Sequence, residues 1–233
     1  MAVAAKKASR TANQGLVATA SAEDGAISSL VEVNCETDFV ARNENFITFT
    51  RTLAEKACET DADLGEEMKD VITAKVAEIG ENIIVRRNTR YKLEGNGTIA
   101  SYIHLGGKVG VLVEISCEKA ETASSEAFLE LAKDLTLHVA ASAPRFLNST
   151  EVPEDEVEAE RRIFAKQVKD KPAQVIDKIV DGKLGKFFAE ICLVNQGFVK
   201  EPKKPVKTLL EEKGKELGDT LTIQRFVRYQ VGV

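Results

Sequence analysis

The run LVEVNCE at residues 30–36 returns as LVEISCE at residues 112–118. The match extends on both sides at the same offset of 82 residues without a gap. Gly15 falls on Gly97, Ala18 on Ala100, Gly25 on Gly107, Phe46 on Phe128 and Leu53 on Leu135. Self-similarity sustained at one period means that one structural unit is built twice.

Each unit reads as a β-hairpin followed by a helix. In the second, residues 98–104 and 109–116 are β-branched or aromatic runs separated by Gly106-Gly107, a pair that supplies positive φ to a tight turn. In the first, Asp24-Gly25 plays that part. Helical spacing follows in both: Phe46, Phe49, Leu53 and Ala57 within residues 43–58, and Phe128, Leu131, Leu135 and Val139 within residues 124–142. Asn43 and Ser124 have the residue types of N-caps. Residues 71–79 read as a further helix, and a third strand is expected in each unit, over residues 82–87 and 221–229.

The second unit carries a long insertion before its third strand. It opens on Val152-Pro153-Glu154-Asp155-Glu156, a proline and an acidic first turn suited to a helix start. Apolar and charged residues then recur at helical period up to Val168 and again over residues 173–194, the pattern of an antiparallel helical hairpin. Gly197, Pro202 and Pro205 end it, and residues 206–215 read as a short closing helix. The expected fold is α+β: two related subdomains, each a small antiparallel three-stranded sheet packed with helices, with a coiled-coil-like hairpin inserted in the second. The expected divisions are a leading helix over residues 1–14, one subdomain over 15–96, and another over 97–233 with the hairpin at about 150–197.

Composition narrows the function. A chain of 233 residues with 43% hydrophobic content can bury a sizeable core. No stretch approaches the length of a membrane span, and the start, MAVAAKKASR, has no apolar signal core. A net charge of -5 argues against a surface built to grip phosphate backbones. Cys35, Cys58, Cys117 and Cys192 form no CxxC pair and have no zinc-like spacing to His104 or His138, so buried reduced thiols are expected. No GxGxxG or GxxxxGK[ST] occurs, which gives no phosphate loop, and no catalytic constellation or cofactor site is apparent. His138 reads as a structural histidine, and the charge-dense segment 154–162 as a solvated helix face.

Function is best sought where the copies disagree while their flanks agree. Thr37-Asp38-Phe39-Val40-Ala41-Arg42 stands opposite Lys119-Ala120-Glu121-Thr122-Ala123-Ser124. The second copy makes its strand-to-helix turn without a Phe. Two readings of Phe39 stand: a staple packed on its own helix with Asp38 as a local cap, or a contact to a partner, which would gain on the order of 1.5–3 kcal/mol when the ring is buried.

The stretch LVEVNCETDFVARNENF, residues 30–46, resembles the signature of the elongation factor Ts family. So do AAKKASRTANQG at 4–15, IGENIIVRR at 79–87, SYIHLGGKVGVLVE at 101–114, LHVAASAPRFL at 137–147 and NQGFVKEP at 195–202, in the family's order over nearly the whole chain. The resemblance implies a guanine-nucleotide exchange factor that binds elongation factor Tu carrying GDP and promotes its release, without making or breaking bonds. It assigns Asp38 and Phe39, flanked by Thr37 and Val40, to the aromatic wedge that enters the GTPase domain, disturbing magnesium coordination and the phosphate loop. Ile79 and Gly80 match a second contact to that domain and Lys7 a third. His104 and Val199 match contacts to the distal domain of elongation factor Tu.

By the same resemblance the start of this sequence aligns with the helix that follows a small three-helix domain of most bacterial members. Its end lacks the C-terminal helical module of some. The implied setting is the bacterial cytoplasm, with plastid or mitochondrion as the alternative, no direct nucleic acid or membrane, and self-association as a homodimer or heterotetramer through the hairpin or the second subdomain. The rival reading is a non-exchanging interaction or dimerisation module of the same fold, which would not require Asp38-Phe39.

Overall fold

The computed structural model describes residues 7, 9–168 and 172–233. The chain divides into two compact units, Met1–Ala140 with Thr222–Val233, and Ala141–Leu221. Half of the expected leading helix, residues 1–6 and 8, lies outside the described residues. Lys7 is helical, and residues 9–13 run as turn and coil into the first strand.

The first unit contains both copies of the repeat. β1 (Gln14–Ser21), β2 (Ile27–Cys35) and β3 (Ile84–Lys92) form one antiparallel sheet in the order β1-β2-β3. Between β2 and β3 the chain forms α1 (Asp38–Ala41), α2 (Glu44–Ala57), α3 (Leu64–Glu67) and α4 (Lys69–Ile79). The second copy supplies β4 (Gly97–His104), β5 (Val109–Ser116), α5 (Ala120–Ala123) and α6 (Glu126–Ser142). After the insertion, β8 (Thr222–Gln230) joins the opposite edge of β5, giving the order β4-β5-β8.

The central strands β2 and β5 are buried almost throughout, because a helix layer covers one face and the other copy's sheet the other. Behind the first sheet, Phe46, Phe49 and Leu53 of α2 pack with Val31, Val33, Ile72 and Val76. Each such side chain withdrawn from water contributes about 1.5–3 kcal/mol. Where the sheets meet, the core is Val17, Leu30 and Tyr91 with Ile99, Leu112 and Tyr229. Val17 and Ile99 are repeat equivalents, as are Leu30 and Leu112. Tyr91 and Tyr229 show that the repeat resumes beyond the insertion at an offset of 138 residues.

The same relation governs the buried charges. Glu32 is fully buried on β2, and Arg87 Nε donates to its Oε2 at 2.7 Å; Arg225 Nε donates to Glu114 Oε2 at 2.6 Å. Each guanidinium crosses to the other sheet, Arg87 lying 4.3 Å from the Tyr229 ring centroid and Arg225 4.1 Å from that of Tyr91. A buried carboxylate is tolerable only when paired in this way. Both central strands also shift register at the matching step, Glu32/Val33 and Glu114/Ile115.

The second unit holds a helical hairpin, α7 (Glu154–Gln167) and α8 (Ala173–Ile191), two short strands, β6 (Gly197–Phe198) and β7 (Glu201–Pro205), and α9 (Val206–Leu217). Arg161 on α7 pairs with Asp181 on α8 at 3.2 Å, and Val180 and Leu184 are buried. α8 stops earlier than its periodicity suggests because Cys192 turns extended, at φ -106° and ψ 122°. α4 and α9 end alike on left-handed glycines, Gly80 at φ +86° and Gly218 at φ +63°, which match at the second offset.

Three details differ from the sequence reading. Ser124 does not cap α6: it closes α5, and Ser125 takes the cap, its Oγ accepting from Phe128 N at 3.3 Å. The third strands start and end later than expected. Among the free thiols Cys35, Cys117 and Cys192 are buried, but Cys58 is only half-buried because it caps the C-terminus of α2.

Candidate functional site

The turn between β2 and α2 is organised by Thr37. Its backbone is extended, at φ -121° and ψ 155°, and its Oγ1 accepts from Val40 N at 3.3 Å to cap α1. The same hydroxyl donates to Glu81 Oε1 at 2.6 Å. Glu81 Oε2 accepts from the backbone N–H groups of Glu36 and Thr37, each at 3.0 Å. The tie is reciprocal, because Glu36 Oε1 accepts from Asn82 N at 2.7 Å. Two carboxylates therefore clasp the Thr37 turn to the end of α4.

Cys35 lies beneath this clasp and donates from Sγ to Thr37 O at 3.2 Å. Burial, reinforced by the Glu81 charge, pushes its thiol up to about 12, so it stays protonated and inert. Gly80 ends α4 in the left-handed conformation, and Lys7 Nζ donates to its carbonyl. A cation there complements the negative end of the helix.

The fold thus draws together residues far apart in sequence: Lys7, the Thr37–Val40 turn, and Ile79 with Gly80. Val40 and Ile79 are half-buried against the core of the first sheet. Phe39 is the opposite case, with 83% of its surface exposed. It does not pack on its own helix as a staple would. The Asp38 carboxylate is 46% exposed and pairs with Arg42 one helical turn on, at 3.2 Å.

Asp38 and Arg42 also border a cleft of about 1000 Å³. Ile47, Thr50 and Arg51 of α2 continue that wall, β1 forms the floor, and the β4–β5 hairpin stands opposite with Leu105 and Lys108. Lys108 Nζ donates to Gly15 O at 3.0 Å, which fixes the hairpin against β1. His104 is exposed at the end of β4, its Nδ1 hydrogen-bonded to Tyr102 Oη at 2.9 Å. Val199, in the second unit, is exposed on the turn between β6 and β7. His138 is fully buried in α6.

Sequence reasoning had no access to Glu81 and Glu36. Their bonds span more than forty positions, and a Glu after a helix-ending glycine carries no periodic signal. Among the described residues no group of three or more His, Cys, Asp and Glu could hold a metal ion, and no helix is long and apolar enough to cross a membrane. An arrangement of this kind, an exposed aromatic on a short helix held by its backbone, can insert a side chain into a groove of another protein.

Comparison with known proteins bears on which protein class this surface serves. The family model for elongation factor Ts matches residues 36–233. Elongation factor Ts of Clostridium perfringens is 41% identical over 245 residues, a match spanning 100% of this chain and 79% of that protein. The elongation factor Ts proteins of Nitratiruptor and Trichlorobacter lovleyi are 39% and 37% identical with the same coverage. The chain belongs to the elongation factor Ts family, and is a translation elongation factor of protein biosynthesis.

Proposed function

We propose that the chain is a guanine-nucleotide exchange factor that binds elongation factor Tu carrying GDP and promotes GDP release, so that GTP can rebind. The observation that carries this reading is Phe39, 83% exposed on a turn whose backbone is held by Glu81. Leaving an aromatic in water forgoes about 1.5–3 kcal/mol, which a partner recovers by burying it. The fold does not require the sacrifice, since the second copy has Glu121 at the equivalent position.

In this mechanism Phe39 wedges into the GTPase domain beside the nucleotide site, and Asp38 orients it. Ile79, Gly80 and Lys7 extend the same surface, while His104 and Val199 engage the distal domain. No covalent step is involved. The wedge and GDP compete through the conformation of the partner, so each must weaken the other by the same coupling free energy. Exchange is therefore reversible, and the cellular excess of GTP sets its direction. The relatives come from bacteria, and the bacterial cytoplasm is the proposed setting.

Release of fluorescent mant-GDP from elongation factor Tu tests the reading. Addition of this protein accelerates the release, and an unchanged rate would overturn the proposal.

A further inference from the structure

We infer that Glu81 is a positioning residue for the wedge: its carboxylate fixes the backbone from which Phe39 projects and locks that turn to the Ile79-Gly80 surface. The inference rests on the exchange-factor reading and adds to it a residue that does not itself reach the partner.

Three donors converge on this carboxylate, Glu36 N, Thr37 N and Thr37 Oγ1, and all three precede Phe39 by two or three residues. Hydrogen bonds to an ionised acceptor are the strong ones. Glu36 returns the tie through Asn82 N, so neither segment can swing without breaking bonds at both ends.

The second copy shows that the threonine cap is not needed to build the turn. There α5 forms with Lys119 as its N-cap, and that cap makes no side-chain hydrogen bond. The thiol-to-carbonyl bond beneath the turn is present in both copies, Cys35 to Thr37 O and Cys117 to Lys119 O. What the first copy adds is the Thr37 cap, in the copy that presents Phe39, and on that hydroxyl the Glu81 carboxylate closes at 2.6 Å. A mobile wedge would have to be ordered on docking, at an entropic cost, whereas a clasped one is ordered in advance.

Two measurements on the full chain test this, one without any partner. In Glu81→Ala, the amide hydrogens of Glu36 and Thr37 should exchange with solvent about tenfold faster or more, the change expected when a charged acceptor is lost, while those of β5 stay as protected as before. In the mant-GDP assay, Glu81→Ala should slow release about tenfold in the wild-type background and have no further effect in a Phe39→Ala background, because residues acting through one another are not additive. Glu81→Gln keeps an acceptor and the volume, and should recover most of the rate; it also serves if the alanine variant fails to fold.

Unchanged protection of Thr37, or a Glu81→Ala deficit that persists in full without Phe39, overturns the positioning role while leaving the exchange reading intact. Wild-type protein that fails to accelerate release overturns the exchange reading, and the positioning role with it.

Discussion

The turn before α2 and the turn before α6 share a strand, a four-residue helix and a thiol bonded to the carbonyl two residues on. They differ in what faces solvent. The first carries a threonine cap and an exposed aromatic, and the second carries Lys119, Ala120 and Glu121. The duplication therefore separates two demands that one structure usually confounds. Residues kept in both copies hold the unit together, and residues present in one copy only are free to serve something else.

That division can be broken at the shared positions first, where the largest effect is expected. Gly15 and Gly97 each sit where an added Cβ would meet the neighbouring strand, 2.1 Å from Val33 O and 2.2 Å from Ile115 O. Their φ values, +146° and +157°, are ones side chains rarely adopt. Backbone strain and overlap together should make Gly15→Ala and Gly97→Ala each cost about 3 kcal/mol or more. Chemical denaturation of the two variants should give losses of similar size. A large cost in one copy and none in the other would mean that the copies do not share one structural logic.

Phe39 gives the contrasting case. Phe39→Ala should slow nucleotide release about 30-fold, equivalent to about 2 kcal/mol of lost interaction. Stability should change by no more than about 0.5 kcal/mol, as for other exposed positions. Glu121→Ala, at the matching place in the second copy, should change neither the release rate nor the melting temperature. Strong thermal destabilisation by Phe39→Ala would return the ring to a packing role.

These contrasts also explain which features were readable in advance. The hairpins and long helices follow from periods of two and of nearly four residues, and the offset of 82 gave the duplication. The second offset stayed hidden because the insertion interrupts the comparison, so the pairing of Arg87 with Arg225 and of Tyr91 with Tyr229 appeared only in three dimensions. β3 was expected too early and too short, since IVRRNTRYK buries few residues and alternates weakly. β6 and β7 gave no strand signal, one being only Gly197-Phe198 and the other containing both Pro202 and Pro205. At the candidate site the residue types were legible, but the clasp was not: local pattern says nothing about which distant carboxylate will meet a backbone N–H.

Alkaline pH should weaken the first unit, to a smaller extent. Burial raises the Cys35 thiol to about 12 from an ordinary 9.0, and it raises the hydroxyls of Tyr91 and Tyr229 as well. For a group whose folded pKa is raised, the folded state holds the proton that the unfolded chain gives up. The stabilisation is complete below the ordinary value and disappears as pH rises toward the folded one. The denaturation midpoint should thus be flat up to about pH 8.5 and fall steadily above 9. Cys35→Ala should flatten the first part of that fall, leaving the tyrosine part. A midpoint unchanged through pH 11 would contradict the burial of all three groups.

The smallest effect tests whether the second turn can be given what the first has. Lys119 stands at the N-cap of α5 with φ -106° and ψ 136°, close to the extended backbone of Thr37, yet makes no side-chain cap. Lys119→Thr places a hydroxyl where it can accept from the N–H three residues on, as Thr37 does from Val40. A cap of this kind is worth about 0.5–1 kcal/mol, so the melting temperature should rise slightly and the release rate stay the same. Thr37→Ala should lose a similar amount of stability in the first turn, but there release should slow too, because the hydroxyl is also one of the three donors that hold Glu81. If both substitutions move only stability, the cap belongs to the helix alone. If Thr37→Ala moves the rate while Lys119→Thr does not, the same hydroxyl has a structural role in both turns and a presenting role in one.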